Sequence, residues 1–371
     1  MDNQDKKLAQ LLIEHSLKIK ANDKVVISTS DLYPIELIRQ LLKQTLQKGA
    51  YVYLDIMGLN WILGRSSWGD LTKIYLDYSS KDQLTNIPKV YSDIVNWGDK
   101  FIRITNFDNY SHIAEADPKK LRLFHKAYES FFNTMIDKKS WVLTYYPTPA
   151  MAQLAKISEE TLREFYFKAC LTDYNKMRQN GEKLARLMDR TKKIRIVGEK
   201  TDIEIDVTNR LAENACGENN IPDGEVFLAP VHTKTQGYIY FDLTNFKDGV
   251  DVVGAYLEFN NGKVIKAKAE QGENVLLNTL AVDKGAKFLG EIGLGINYEI
   301  KRPMRQTLFD EKIGGTIHLA LGKSYTSKRG GAVDTPNKSA VHWDLVKDMR
   351  KTGSIIYADS KIVFKNGKWL L

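Results

Sequence analysis

Residues 24–56, KVVISTSDLYPIELIRQLLKQTLQKGAYVYLDI, decide the fold class of the first half of the chain. The run Lys24 to Ser28 predicts a short buried strand, and Tyr51 to Ile56 predicts the next one. Between them Pro34 opens a helix that covers Ile35 to Lys48 and ends before a glycine. A helical crossover of this kind joins parallel strands, so the stretch predicts a parallel pair.

The same alternation continues along the chain. Two further strands are predicted at 101–105 and 141–145, each after a helical stretch, at about 84–97 and 118–137. We therefore expect an α/β domain over residues 1–190, with a mainly parallel sheet and helices on both faces. Its last part, roughly 158–190, is predicted to be a long connecting helix.

The pattern changes after residue 190. Thr201 to Val207 alternates strictly, as a half-exposed strand does, and Asn-Gly pairs at 261–262 and 366–367 are typical of hairpin turns. One helix is predicted at about 273–287. Residues 191–371 are therefore expected to form an α+β domain with a mainly antiparallel sheet.

Composition excludes several classes of protein. The chain has 371 residues, a net charge of +8 and two cysteines, neither of which belongs to a C-x-x-C pair. A disulfide framework and a cysteine zinc site are excluded. The absence of a signal peptide or a long apolar run predicts a cytoplasmic protein with no membrane span. The basic residues are spread thinly, which disfavours nucleic acid as a partner.

Two histidines in the second half carry the strongest chemical signal. His318 interrupts an apolar strand bracketed by glycines, and a hydrogen-bonded core histidine would be the simpler interpretation of it alone. His342 and Asp344 form an H-x-D pair, whose side chains project to the same face of an extended chain. An imidazole and a carboxylate placed in this way can meet one cation.

Three glutamates add to this pair. Glu225 and Glu291 lie among apolar residues and glycines, where a carboxylate needs an ion pair or a metal. Glu311 has charged neighbours, so simple exposure explains it almost as well as ligation does. Oxygen and nitrogen ligands without thiolates favour Zn²⁺, Mn²⁺ or Co²⁺. Their number favours two divalent ions that share a carboxylate, as in dinuclear hydrolases.

Four blocks together resemble the thermophilic metalloaminopeptidases, the family of aminopeptidase T, aminopeptidase S and PepS. They are IPDGEVF at 221–227, LGE at 289–291, GTIHLALG at 315–322 and VHWD at 341–344. They occur in the family's order and at similar spacing, and looser similarity covers nearly the whole chain.

This resemblance implies a metal-dependent aminopeptidase that acts on peptides with a free N-terminus and forms a homodimer. It implies that two divalent ions are bound by Glu225, Glu291, Glu311, His318, His342 and Asp344. Glu291 is then the candidate bridging carboxylate, and Tyr325 is a candidate catalytic residue that could stabilise the oxyanion. The general base stays open between Glu225, Glu291 and an unligated carboxylate.

Two other functions are compatible with the residues. One is a different dinuclear metallohydrolase, such as an amidase or a phosphatase. The other is a non-enzymatic binding protein that retains the fold and uses its basic surface. The presence of every expected ligand argues against a degenerate site.

Overall fold

The computed structural model describes residues 3–56, 58, 69–113, 115–247 and 249–370, which contain twenty strands and eleven α-helices. The strands are β1 Lys24–Thr29, β2 Tyr51–Ile56, β3 Lys100–Thr105, β4 Ser140–Tyr145, β5 Lys193–Gly198, β6 Thr201–Asp206, β7 Glu213–Ala215, β8 Asn220–Ile221, β9 Glu225–Leu228, β10 Gln236–Phe241, β11 Asn245–Lys247, β12 Val250–Val252, β13 Ala255–Asn260, β14 Lys263–Lys268, β15 Leu289–Gly295, β16 Thr316–Gly322, β17 His342–Asp348, β18 Ile355–Ala358, β19 Lys361–Lys365 and β20 Lys368–Trp369. The α-helices are Asn3–Gln10, Ile35–Gln47, Gly69–Tyr78, Lys81–Thr85, Lys89–Trp97, Pro118–Lys138, Pro149–Ala155, Glu159–Cys170, Tyr174–Met188, Glu273–Leu280 and Thr307–Asp310.

The first compact unit, Met1–Leu171 with Gly217–Pro222, contains a five-stranded sheet in the order β2-β1-β3-β4-β8. All its described neighbours pair in parallel, which confirms the predicted parallel sheet. The helix Pro118–Lys138 packs Phe131 and Met135 against Val26 and Phe101 of the sheet. Among the described residues, no helix is both long and apolar enough to cross a membrane.

The second unit is Thr172–Cys216 with Asp223–Leu371. The expected connecting helix is two helices, Glu159–Cys170 and Tyr174–Met188. Asp173 caps the second of these by accepting a hydrogen bond from Lys176 N (3.0 Å). That helix contacts β7 and β9, and it therefore belongs to the second unit.

Antiparallel sheets make up the second unit, as predicted. One has eight strands in the order β14-β13-β10-β6-β5-β18-β19-β20, another has five in the order β17-β16-β15-β9-β7, and β11 pairs with β12. Both predicted hairpins are confirmed, with Asn261–Gly262 and Asn366–Gly367 at positive φ. The predicted helix at 273–287 is shorter, because Asp283 accepts a hydrogen bond from Ala286 N and stabilises a turn.

The five-stranded sheet matters most for function. Every residue of β15 and β16 is buried, including two that carry ionisable side chains, Glu291 and His318. Buried charged groups need partners, so this sheet is where a polar site has to be sought.

Candidate metal centre

Cross-strand pairing brings the polar side chains of four strands to one face of the five-stranded sheet. Glu291 on β15 and Asp344 on β17 both lie opposite Ala320 of β16, and His342 lies opposite Gly322. On the other side of β15, Glu225 of β9 lies opposite Gly295. Because directly opposed residues share a face, Glu225, Glu291, His318, His342 and Asp344 project together.

Gly293 makes room for His318, which it faces across the β15–β16 pair. A Cβ atom added at Gly293 would lie 1.9 Å from His318 Cε1 and 2.1 Å from Nε2. No side chain fits at this position while the imidazole keeps its place. The position of His318 therefore requires glycine at residue 293.

Gly293→Ala is expected to displace His318 and weaken metal binding. The free energy of unfolding should fall by about 1–3 kcal/mol, the usual cost of overpacking a buried position. Gly198→Ala is the matched control, because an added Cβ there meets its nearest atoms only at 3.6 Å. Thermal unfolding and metal titration of both variants check the prediction. Equal metal affinity in Gly293→Ala and the unaltered protein would contradict it.

His318 is the centre of the cluster. Its Nε2 lies 3.1 Å from Glu291 Oε1, 3.4 Å from Glu225 Oε2 and 4.0 Å from Asp344 Oδ1. A hydrogen-bonded core histidine is the simpler interpretation of His318 alone, but such a residue would not have three carboxylates around one ring nitrogen. Three carboxylates converge on one ring nitrogen, as they would around a shared cation.

His342 has its ring oriented by the backbone. Its Nδ1 donates a hydrogen bond to the carbonyl oxygen of Lys323 (2.8 Å), and this leaves Nε2 as the lone-pair nitrogen. That Nε2 lies 3.6 Å from Asp344 Oδ1 and 4.0 Å from Glu291 Oε2. The tautomer that the backbone selects is therefore the one in which Nε2 can ligate a metal.

Glu311 follows the short helix Thr307–Asp310 and comes close to His318 and Asp344. Its charged neighbours make simple exposure almost as good an interpretation of the sequence as ligation, but its side chain is largely buried. The adjacent Lys312 was not predicted to take part in the site. Its Nζ lies 2.8 Å from Glu311 Oε1 and 2.5 Å from Glu225 Oε1. Nothing local in the sequence distinguishes this lysine from a surface lysine.

Three ionisable groups of the cluster, Glu225, His318 and Lys312, have shifted pKa values. Burial raises the pKa of Glu225 to about 8, although Lys312 and His318 oppose this effect. Burial alone would lower the pKa of His318, but the hydrogen bond that its Nε2 donates to Glu291 Oε1 and the charges of nearby carboxylates raise this pKa to about 10. Burial also disfavours the charged form of Lys312, while the charges of Glu225 and Glu311 raise its pKa. The raised pKa values of Lys312 and His318 thus favour positive charge on both groups beside these carboxylates.

Several buried atoms of the cluster have no hydrogen-bond partner among the described residues. They are Glu225 Oε2, Glu291 Oε2, Asp344 Oδ1 and His318 Nδ1. Two overlapping groups have ligand atoms within 4.8 Å of one another: Glu225, Glu291 and His318; and Glu311, His318 and Asp344. Unpaired carboxylate oxygens beside imidazole nitrogens are a donor set that fits divalent transition metals.

Tyr325, which follows β16 in the chain, lies beside this cluster. Its ring centroid is 5.3 Å from that of His342 and 6.1 Å from that of Phe227, and 44% of the residue is exposed. Desolvation and then the charges of Glu291 and Asp344 hold its pKa well above the ordinary value. The phenol therefore stays protonated near neutral pH and can donate a hydrogen bond. Phe227 was not singled out from the sequence, since one aromatic in a strand is most often core.

The other histidines do not belong to either candidate ligand group in the described part of the chain. His112 pairs with Asp108 (2.9 Å), and His232 packs edge-on against Phe288 at 5.5 Å between ring centroids. All six predicted metal ligands lie in the second compact unit.

A family model and two relatives match almost the full length of the chain, and a third relative matches part of it. The sequence model of the thermophilic metalloprotease family (M29) matches residues 1–369. Aminopeptidase AmpS of Bacillus subtilis is 24% identical over 100% of both chains. Aminopeptidase 2 of Geobacillus stearothermophilus is 24% identical over 98% of this chain and 97% of its own. Aminopeptidase PepS of Streptococcus thermophilus is 32% identical over 43% of each.

Solved structures share the fold. Wild-type AmpT from Thermus thermophilus superposes with a TM-score of 0.83 at 22% identity and covers 100% of this chain and 99% of its own. A 2,5-dihydroxypyridine dioxygenase from Pseudomonas putida also matches, with a TM-score of 0.60 at 14% identity over 99% and 97% of the two chains. Proteins named for different chemistries therefore share this fold, and the site residues have to carry the functional argument.

Proposed function

The chain belongs to the thermophilic metalloprotease family M29, and from this premise we propose that it is an aminopeptidase with a dinuclear metal centre. The observation that carries the proposal is the buried face of carboxylates and imidazoles around His318. The proposed ligands of two divalent ions, Zn²⁺, Co²⁺ or Mn²⁺, are Glu225, Glu291, Glu311, His318, His342 and Asp344. We propose residues 191–371 as the catalytic domain.

Bound in this site, divalent ions would supply Lewis acidity and lower the pKa of a water molecule. Glu291 approaches His318 through Oε1 and His342 through Oε2, which makes it the candidate bridging carboxylate. Glu225 and Glu291 both remain candidates for the general base, as does a carboxylate that is not a ligand. Tyr325 is proposed to donate its hydroxyl proton in a hydrogen bond to the oxyanion of the transition state.

Metal content tests the dinuclear centre. We expect protein reconstituted with Zn²⁺, Mn²⁺ or Co²⁺ to hold two ions per chain and to lose activity when they are chelated. Elemental analysis and leucyl-anilide hydrolysis on the same sample give the stoichiometry and the activity. Full activity with a single bound ion would rule out the dinuclear mechanism. Preferential turnover of a phosphate ester over the anilide would indicate a different dinuclear hydrolase.

N-terminal acetylation tests the end specificity. If the free α-amine is bound at the centre, acetylation removes that interaction and misplaces the scissile carbonyl. We expect unblocked peptides to be cleaved and their N-acetylated versions to resist, measured by chromatography of the products. Equal cleavage of the two would make the protein an endopeptidase or a general amidase.

We further propose that the protein is a homodimer in the cytoplasm, as the family resemblance implies. Sedimentation velocity of the purified full chain measures the oligomeric state. A monomer at micromolar concentration would contradict the proposal.

A further inference from the structure

Lys312 is a buried lysine inside the carboxylate cluster, with 1% of its surface exposed. Its Nζ lies 2.5 Å from Glu225 Oε1, 2.8 Å from Glu311 Oε1 and 3.8 Å from Asp223 Oδ1. An ammonium group is costly to bury and needs such partners. The proposed reaction assigns it no role, although it touches two of the proposed ligands.

The backbone of Lys312 is held firmly in place. Asn297 N donates to the carbonyl oxygen of Lys312 (3.0 Å), and Asn297 Nδ2 donates to the carbonyl oxygen of Asp223 (2.8 Å). Asn297 O also accepts a hydrogen bond from Gly314 N (2.9 Å). One buried asparagine thus ties the segment of Lys312 to the segment that leads into Glu225. The lysine is fixed relative to the glutamate that it contacts.

The two oxygens of Glu225 have different partners. Oε1 accepts the hydrogen bond from Lys312, whereas Oε2 has no hydrogen-bond partner and lies 3.4 Å from His318 Nε2. Lys312 therefore occupies one oxygen and leaves the other directed at the centre of the cluster. It makes a comparable contact with a single oxygen of Glu311.

We propose that Lys312 is a positioning residue that holds Glu225 and Glu311 by one oxygen each. Each glutamate then presents only its other oxygen to the metal, so neither binds an ion in a bidentate manner. This inference rests on the proposed metal centre. A purely structural lysine would stabilise the fold without affecting how the glutamates coordinate.

The visible absorption of bound Co²⁺ distinguishes single-oxygen from bidentate ligation by the glutamates, because this absorption weakens as the coordination number of the ion rises. In Lys312→Met the side chain keeps its length but frees Glu225 Oε1 and Glu311 Oε1. We expect the Co²⁺ band of this variant to lose intensity and shift relative to the unaltered protein. Lys347→Met is the matched control, since Lys347 is also 1% exposed but donates to the backbone carbonyl of Tyr240. Its Co²⁺ spectrum should be unchanged.

Each outcome decides the inference. Identical Co²⁺ spectra for Lys312→Met and the unaltered protein overturn it, and so does the same spectral change in Lys347→Met. If Lys312→Met does not fold, a crystal structure of the unaltered protein loaded with Co²⁺ decides. Single-oxygen ligation by both glutamates beside Lys312 supports the inference, and bidentate Glu225 overturns it. Unaltered protein that takes up no Co²⁺ overturns the proposed centre as well, so the two failures can be told apart.

Discussion

Replacing His318 with alanine is expected to abolish peptide hydrolysis and to empty the metal centre. His318 belongs to both candidate ligand groups, and its Nε2 lies within 4.0 Å of three carboxylates. Its loss removes a proposed ligand and leaves Glu225 and Glu291 without the imidazole that contacts both of them. We expect activity to fall by roughly four orders of magnitude or more, as in enzymes that lose one member of a catalytic unit.

His232→Ala is the control for this experiment. His232 lies in the same compact unit, but it belongs to neither candidate ligand group. Its replacement should leave metal content and kcat unchanged. Activity, bound metal and circular dichroism are measured on both variants. A folded His318→Ala protein that still holds two ions and cleaves peptides would show that the ligand assignment is wrong.

Tyr325→Phe is expected to lower kcat by roughly 10²–10³, the range observed when enzymes lose one oxyanion donor. The substitution keeps the ring that packs on His342 and Phe227 and deletes only the hydroxyl. Because desolvation and nearby carboxylates keep the phenol protonated, the deleted group is a donor at neutral pH. Metal content should not change, because the proposed role of Tyr325 is in contacting the substrate.

Tyr298→Phe is the matched control. Tyr298 is also 44% exposed and lies in the same unit, but its hydroxyl donates to the carbonyl oxygen of Gly367 (3.0 Å). The Tyr298→Phe variant should retain the kcat of the unaltered protein. Both variants are compared for kcat, KM and bound metal under one protocol. An unaltered kcat in Tyr325→Phe would exclude the tyrosine from the mechanism, and loss of metal would instead make it part of the ligand set.

The elements of the fold were largely predictable, because the signals that specify them are local. The parallel strands β1, β3 and β4 are apolar runs between helices, and the two Asn-Gly hairpins follow from turn chemistry. The place of one helix depends on tertiary contacts. The Tyr174–Met188 helix continues the periodicity of the one before it, and its contacts with β7 and β9 assign it to the second unit.

The sequence by itself determined which residue types could bind metal: imidazoles and carboxylates set among apolar residues and glycines. Only the tertiary structure decided which atoms meet. Strand register sets His318 opposite Gly293, and chain packing buries Lys312 between Glu225 and Glu311. The run Asp310-Glu311-Lys312 looks like exposed surface because burial of a charge depends on partners distant in the sequence. Here one partner of Lys312, Glu225, is 87 residues away along the chain, and no local pattern indicates this contact.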